Sequence, residues 1–308
     1  MKYTIKIINF FLLFLIFTFK TFALENKILF KVNNEIITSI DLLSEIEYLK
    51  LINENLNNIE QKKLFEIAKN SIIREKIKII ELFKYYDNLE VESQHYKILM
   101  NELLKKTNLN KYEDLEKLLI SKNININSVE QKIKIEILWN NLIFRKYSKD
   151  VKIDKKKIKS DLLKNNFQKE FLLSEIVFNI DNSQKLQTKF NKIKNEIKTN
   201  GFSNAALVYS ISDTASKSGK LGWIKFNSLN SKIKKILLDT EIGQITEPIV
   251  IPGGFLILKI ENEREAKILN DIDKEINIVA NEKANKQLNQ FSNIYFNKIR
   301  KEIKFYEF

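Results

Sequence analysis

Few side chains in this sequence are equipped for bond-making chemistry, and their spacing does not gather them. There is one histidine, His95, and no cysteine. That composition removes disulfides, thiolate metal sites, cysteine nucleophiles and a lipidated amino-terminal cysteine. His95 shares a helix face with Val91 and Leu99 and reads as a partly buried helix residue, since no second histidine exists to share a metal. Gly219-Lys220 lacks the upstream glycine and the following hydroxyl residue of a phosphate loop. Glu261, Glu263 and Glu265 flank a step from strand to helix and read as helix-start charges, because carboxylates complement the positive end of a helix. The net charge is +13, but the lysines form no single stripe and accompany no nucleic-acid motif, so no nucleic-acid partner is expected. Lys155–Lys157 reads as a solvated helix face. No spaced metal-ligand set exists, and no cofactor is expected.

The elements that must position any site follow from the backbone punctuation. All six glycines and both prolines lie between Gly201 and Gly254. Outside that window little interrupts a helix; inside it, tight turns separate short apolar runs. Ile28–Val32 and Ile36-Ile37 flank an Asn33-Asn34 turn. Thr38 then caps a helix, with Asp41 as its capping-box acid, and Ile40, Leu43, Ile46, Leu49 and Ile52 trace its apolar face. A second helix spans 61–86, with Phe65, Ala68, Ile72, Ile80 and Phe83 inward. Further helices are expected near 91–106, 111–121, 127–148 and 154–165. From Phe171 the period changes. Strands are expected at 171–180, 221–224, 245–251 and 255–260, with helices at 183–199, 202–208 and 231–238 and a polar loop at 210–218. A long helix follows Arg264. Its stripe of Leu269, Ile272, Ile276, Val279 or Ala280, Ala284, Leu288, Phe291, Tyr295 and Ile299 needs a groove, and the first six helices supply one.

Residues 1–23 read as a secretory signal: Lys2 and Lys6, the apolar run Ile7–Phe19, then Thr21-Phe22-Ala23 as a small-residue cleavage site. At ~1.5 Å per residue that run is too short to cross a ~30 Å hydrocarbon core. Cleavage after Ala23 leaves a chain outside the cytoplasm with no stable membrane insertion.

The central segment resembles parvulin-type (PpiC-type) peptidyl-prolyl isomerase domains over about residues 168–262. The ordered matches are Leu173-Ser174-Glu175-Ile176, Phe202-Ser203-Asn204-Ala205-Ala206-Leu207-Val208-Tyr209-Ser210, Gly219-Lys220-Leu221-Gly222-Trp223, Gly243-Gln244-Ile245, Pro248-Ile249 and Gly254-Phe255-Leu256-Ile257-Leu258-Lys259. The flanks add a second likeness. Val32-Asn33-Asn34-Glu35-Ile36-Ile37-Thr38-Ser39-Ile40-Asp41-Leu42 resembles the opening of SurA-type chaperones, which set a helical domain before the parvulin module and return a carboxy-terminal helix to it.

That resemblance implies an α+β fold: a signal peptide at 1–23, a helical chaperone domain at 24–167, a parvulin-like module with a four-stranded antiparallel sheet at 168–262, and at 263–308 a helix packing on the amino-terminal domain. It implies a periplasmic, ATP-independent chaperone for unfolded outer-membrane proteins or other exported polypeptides. Parvulins line their site with two histidines and a Cys or Asp. The two histidine positions fall here at Glu175 and Leu256, and the third at Ser212, with Asp213 beside it. The apolar lining carries over to Leu221, Leu229 and Ile233, residues that a module core would also use. Turning an X–Pro bond requires lowering a barrier of ~18–20 kcal/mol by desolvating the ring and supporting the twisted amide. With Leu256 unable to donate or accept, the expected outcome is a weakened or lost isomerase whose module binds peptide. An active isomerase using the variant site and a non-catalytic adaptor are the alternatives.

Overall fold

The computed structural model describes residues 26–163, 167–180, 185–267 and 271–308. The expected signal segment, residues 1–23, and Leu269 lie outside the described residues. Strands β1 (Ile28–Val32) and β2 (Glu35–Thr38) pair antiparallel through a turn in which Asn33 takes a left-handed φ of 50°. Thr38 caps α1 (Ser39–Ile52): its Oγ1 accepts from the Asp41 amide, and Asp41 accepts from the Thr38 amide, at 3.3 and 2.8 Å. The face of α1 differs from the expected stripe. Leu42, Glu45 and Leu49 turn inward, while Ile40 and Leu43 are 49% and 44% exposed. Glu45 can go inside because Lys132 neutralises it at 2.7 Å and Ser71 donates to it at 2.6 Å. A polar residue at a core position displaced the purely apolar reading.

The helical domain continues with α2 (Gln61–Leu82), α3 (Ser93–Lys106), α4 (Tyr112–Ser121), α5 (Ile126–Tyr147) and α6 (Lys155–Leu163). Helix α2 stops at Leu82, so Phe83 lies beyond its end and is 53% exposed, not inward. The late helix α10 (Ile272–Arg300) lies against α2, α5 and α6. The seam centres on Trp139, fully buried, with Tyr295 and Phe296 beside its ring. The Trp139 indole N–H donates to Ser292 on α10 at 2.9 Å, which satisfies the ring's one polar atom in the core. Strand β7 (Phe305–Glu307) then pairs with β1, opposite β2. Nothing in the sequence pattern announced this strand. Phe305 stacks on Phe30, and the short run acquires its conformation from that partner.

Between these halves lies a sheet of order β4-β3-β6-β5, antiparallel throughout. It comprises β3 (Phe167–Phe178), β4 (Lys220–Lys225), β5 (Ile249–Ile251) and β6 (Gly254–Lys267). Helix α9 (Ser231–Leu238) packs on one face, and α7 (Leu186–Asn200) and α8 (Phe202–Tyr209) on the other. Two expectations need correction. The strand foreseen at 245–251 shrinks to β5, with Ile245 making a single bridge to Lys259. The helix foreseen after Arg264 starts at Ile272, because β6 runs on to Lys267. Glu261, Glu263 and Glu265 are therefore strand residues. Glu261 pairs with Lys259 at 2.6 Å and Glu263 with Lys169 across the ladder at 2.9 Å.

Candidate functional site

The α9 face of the sheet carries Phe171, Leu173 and Val177 from β3 and Leu256, Leu258 and Ile260 from β6. Glu175 sits opposite Leu258 in register, and Val177 opposite Leu256. In an antiparallel pair opposed residues share a face, so the sheet does bring Glu175 and Leu256 to one surface. Leu229 and Ile233 are each 1% exposed, within the apolar cluster beneath it, while Leu221 is half-buried at its edge.

A loop over residues 210–218 completes the site. Ser210, Ser212 and Thr214 point toward the sheet. The Ser210 Oγ accepts from the Val177 amide at 3.1 Å. Its hydroxyl lies 3.2 Å from that of Ser212, which lies 2.6 Å from that of Thr214. Thr214 donates to Glu175 Oε1 at 2.9 Å. An ionised carboxylate only accepts, so with Glu175 charged every hydroxyl proton in this chain points toward it. Asp213 points the other way, to the helical domain, whereas Ile211 packs on the apolar cluster of the module. The Ile211 amide still donates to the Val177 carbonyl at 2.7 Å, which ties the loop to β3. The loop ends at Gly219, whose φ is +76° and whose carbonyl accepts from the Glu175 amide at 2.7 Å. A Cβ there would fall 2.3 Å from the Glu175 carbonyl oxygen, so only glycine fits.

Two carboxyls in the site are pushed in opposite directions. Burial raises that of Glu175, against the opposing pull of the Thr214 and Ser212 hydroxyls and the Lys286 ammonium. Burial would also raise Asp213, but Lys78 and Arg74 overcome it and hold that carboxyl well below the usual range. Arg74 donates to Asp213 Oδ1 through Nη2 at 2.6 Å and Nε at 3.2 Å, and through Nη1 to the Ile211 carbonyl at 2.7 Å. Lys78, itself 1% exposed, reaches the same Oδ1 at 3.2 Å and Glu136 at 2.6 Å.

Of the expected site residues, Glu175, Ser212 and Leu256 thus meet at one place. Asp213 does not face the sheet. Ser210 and Thr214 are the hydroxyls that accompany Ser212 in the structure. His95 is far from this geometry in role: its side chain is 61% exposed, 3.8 Å from Glu92, not partly buried. Among the described residues no group of three His, Cys, Asp or Glu side chains is arranged to hold a metal, and no helix is long and apolar enough to cross a membrane. A separate cleft of about 780 Å³ opens on the opposite face of the sheet. Leu172, Ser174, Lys220 and Phe202 line one side and Asn55 and Asn58 of the helical domain the other.

A four-stranded antiparallel sheet with helices on both faces, and a polar loop closing over its central strand, has the organisation of a rotamase domain. A family model for the PPIC-type PPIASE domain matches residues 172–262. The chain carries a single PPIC-type module on a helical core and is similar to SurA chaperones. The SurA chaperone of Pseudomonas putida is 28% identical over 152 residues, 46% of this chain and 36% of that protein; the chain therefore matches about a third of that relative's length. An uncharacterised protein of Rickettsia typhi is 26% identical over 306 residues, 94% of this chain and 96% of its own. Among solved structures, a SurA-like chaperone of Campylobacter jejuni is 18% identical and covers 92% of this chain and 99% of its own, with a TM-score of 0.35.

Proposed function

We propose that the protein is an exported, ATP-independent chaperone of the periplasm that holds unfolded outer-membrane proteins and other exported polypeptides, and that its parvulin module binds peptide with weak or no isomerase activity. The observation that carries this reading is the chemistry at the site. Leu256 offers no polar atom beside the amide, and Glu175 in its charged form accepts but cannot donate. Stabilising a twisted prolyl amide calls for a donor placed where charge develops. The hydroxyl chain is already directed into Glu175 and leaves none spare. Leu221, half-buried at the edge, remains as apolar surface for a peptide with Leu229 and Ile233 packed as core behind it, and the cleft between Asn55 and Phe202 supplies a second surface at the seam with the helical domain.

Two assays test this. An unfolded β-barrel client should stay soluble at equimolar protein; unchanged aggregation would sink the holdase reading. A proline-limited refolding reaction should run at its spontaneous rate; acceleration that vanishes in Leu221→Asp would overturn the claim of a silenced site. One observation favours residual activity as a second reading. Burial raises Glu175, and the protonated acid can donate. In that case catalysis grows as the pH is lowered toward the carboxyl's midpoint, and Glu175→Gln removes the pH dependence.

A further inference from the structure

We propose that Asp213 is a positioning residue through which the helical domain shapes the peptide site of the module, an inference that rests on the module binding peptide. Ser212 and Thr214 have their hydroxyls on the site, and Asp213 between them has its carboxylate on α2. Residues 212–215 form a tight turn, closed by the Ala215 amide on the Ser212 carbonyl at 3.1 Å, so fixing Asp213 also restrains the backbone that carries Ser212 and Thr214. The fixing contact is a built one. Arg74 grips the loop at the Asp213 carboxylate and, with its third nitrogen, at the Ile211 carbonyl. Lys78 is almost completely buried, anchored by Glu136 and lying 5.5 Å from the centre of the Trp139 ring. Ser292 of α10 donates to the other Asp213 oxygen at 3.5 Å. At the far end of the loop, Asn53 donates to the Ser218 hydroxyl at 2.6 Å, where Ser218 holds a left-handed φ of 58°. The module holds the two ends of the loop, through Ser210 to Ala206 and Val177, Ile211 to Val177 and Gly219 to Glu175, but between Ser212 and Ser218 its hold is the Thr214 bond to Glu175 itself. The core therefore holds the loop at its middle and its end, and the side chains that reach Glu175 lie between those points.

The experiment uses the whole chain and four variants. Asp213→Asn and Arg74→Gln break the grip. Asp213→Glu keeps the charge. Lys63→Ala removes a different contact between core and module, the pair with Glu196 at 2.8 Å, without touching the loop. Two quantities are read: deuterium uptake over residues 210–218, and the anisotropy of a dye-labelled decapeptide with one Phe-Pro step. The expected result is exchange about tenfold faster and peptide affinity about tenfold weaker in Asp213→Asn and Arg74→Gln, since either loss amounts to roughly one hydrogen bond to a charged group. Asp213→Glu should recover part of both, and Lys63→Ala should change neither. Unchanged loop exchange in Asp213→Asn overturns the inference. So does faster exchange with unaltered peptide affinity, which shows that the hydroxyls need no help from the core. If Lys63→Ala reproduces both effects, general loosening of the module is responsible and the specific role of Asp213 is refuted. A wild-type chain that fails to bind the decapeptide removes the premise and the inference with it, whereas client aggregation in the separate assay reports on holdase action alone.

Discussion

Glu175 and Asp213 are two carboxyls of one site with opposite linkage to pH. Asp213 is held low by Lys78 and Arg74, so its ionised form contributes stability above the ordinary aspartate value of about 3.9, and that contribution fades as the pH falls toward the folded value. Melting curves should show Asp213→Asn destabilised by a constant margin at neutral pH, with the margin closing below about pH 4. Glu175 is held high, so the folded state binds its proton more tightly than the unfolded chain and the penalty grows as pH rises past the ordinary glutamate value of about 4.3. Glu175→Gln should therefore gain on the wild type with rising pH, and equal slopes for the two variants would refute the assignment. Thr214→Val replaces the hydroxyl that feeds Glu175 and should cost about 1–3 kcal/mol in urea unfolding; a neutral effect would mean the hydroxyl chain is dispensable. Glu175, Leu256 and Ser212 were legible in the sequence because ordered motifs fix their places along the chain. The outward turn of Asp213 was not, since it depends on Arg74 and Lys78, more than a hundred residues away.

At the scale of elements, the turns are where the sequence speaks most plainly. Gly219→Ala should destabilise the module by about 2 kcal/mol or more, because the added Cβ meets the Glu175 carbonyl with its φ already positive; a melt within error of wild type would show that the loop can shift. Helix α10 offers a second test. Ser292→Ala leaves the Trp139 indole N–H buried without an acceptor and should cost about 1–3 kcal/mol. The junction of β6 and α10 was misread for a physical reason. Between Gly254 and Phe308 no glycine or proline marks where one element stops. Glu261, Glu263 and Glu265 fit either the alternation of a strand or the charged start of a helix. What decides is cross-strand pairing: Glu263 meets Lys169 and Arg264 meets Glu170, contacts between segments about ninety residues apart. The four-stranded sheet itself was foreseeable, since apolar runs between glycine turns leave little else for that window to form.

For the molecule as a whole, module and core share their packing. Leu207 of α8 lies in the main cluster of the helical domain, Lys225 of β4 pairs with the buried Glu275 of α10, and a Cβ on Gly253 would press on Ile294 of α10. The chain's two tryptophans report on the two parts, Trp139 in the core and Trp223 on β4. With 5-fluorotryptophan, both fluorine signals should vanish at one urea concentration in the wild type and at two in Arg74→Gln; separate transitions in the wild type would mean that the parts fold independently. The return of α10 to the amino-terminal helices was readable from its apolar stripe, whereas the closing strand was not, because three residues carry no period. That strand has a consequence for biosynthesis. Lys304 bonds to Asn33 across 271 residues of chain. At a synthesis rate of about 5–20 residues per second, β1 waits on the order of tens of seconds for its second neighbour. During that interval Phe30 and an open strand flank face the surroundings, so the newborn polypeptide itself invites escort by other folding factors until residues 305–307 emerge and seal the flank.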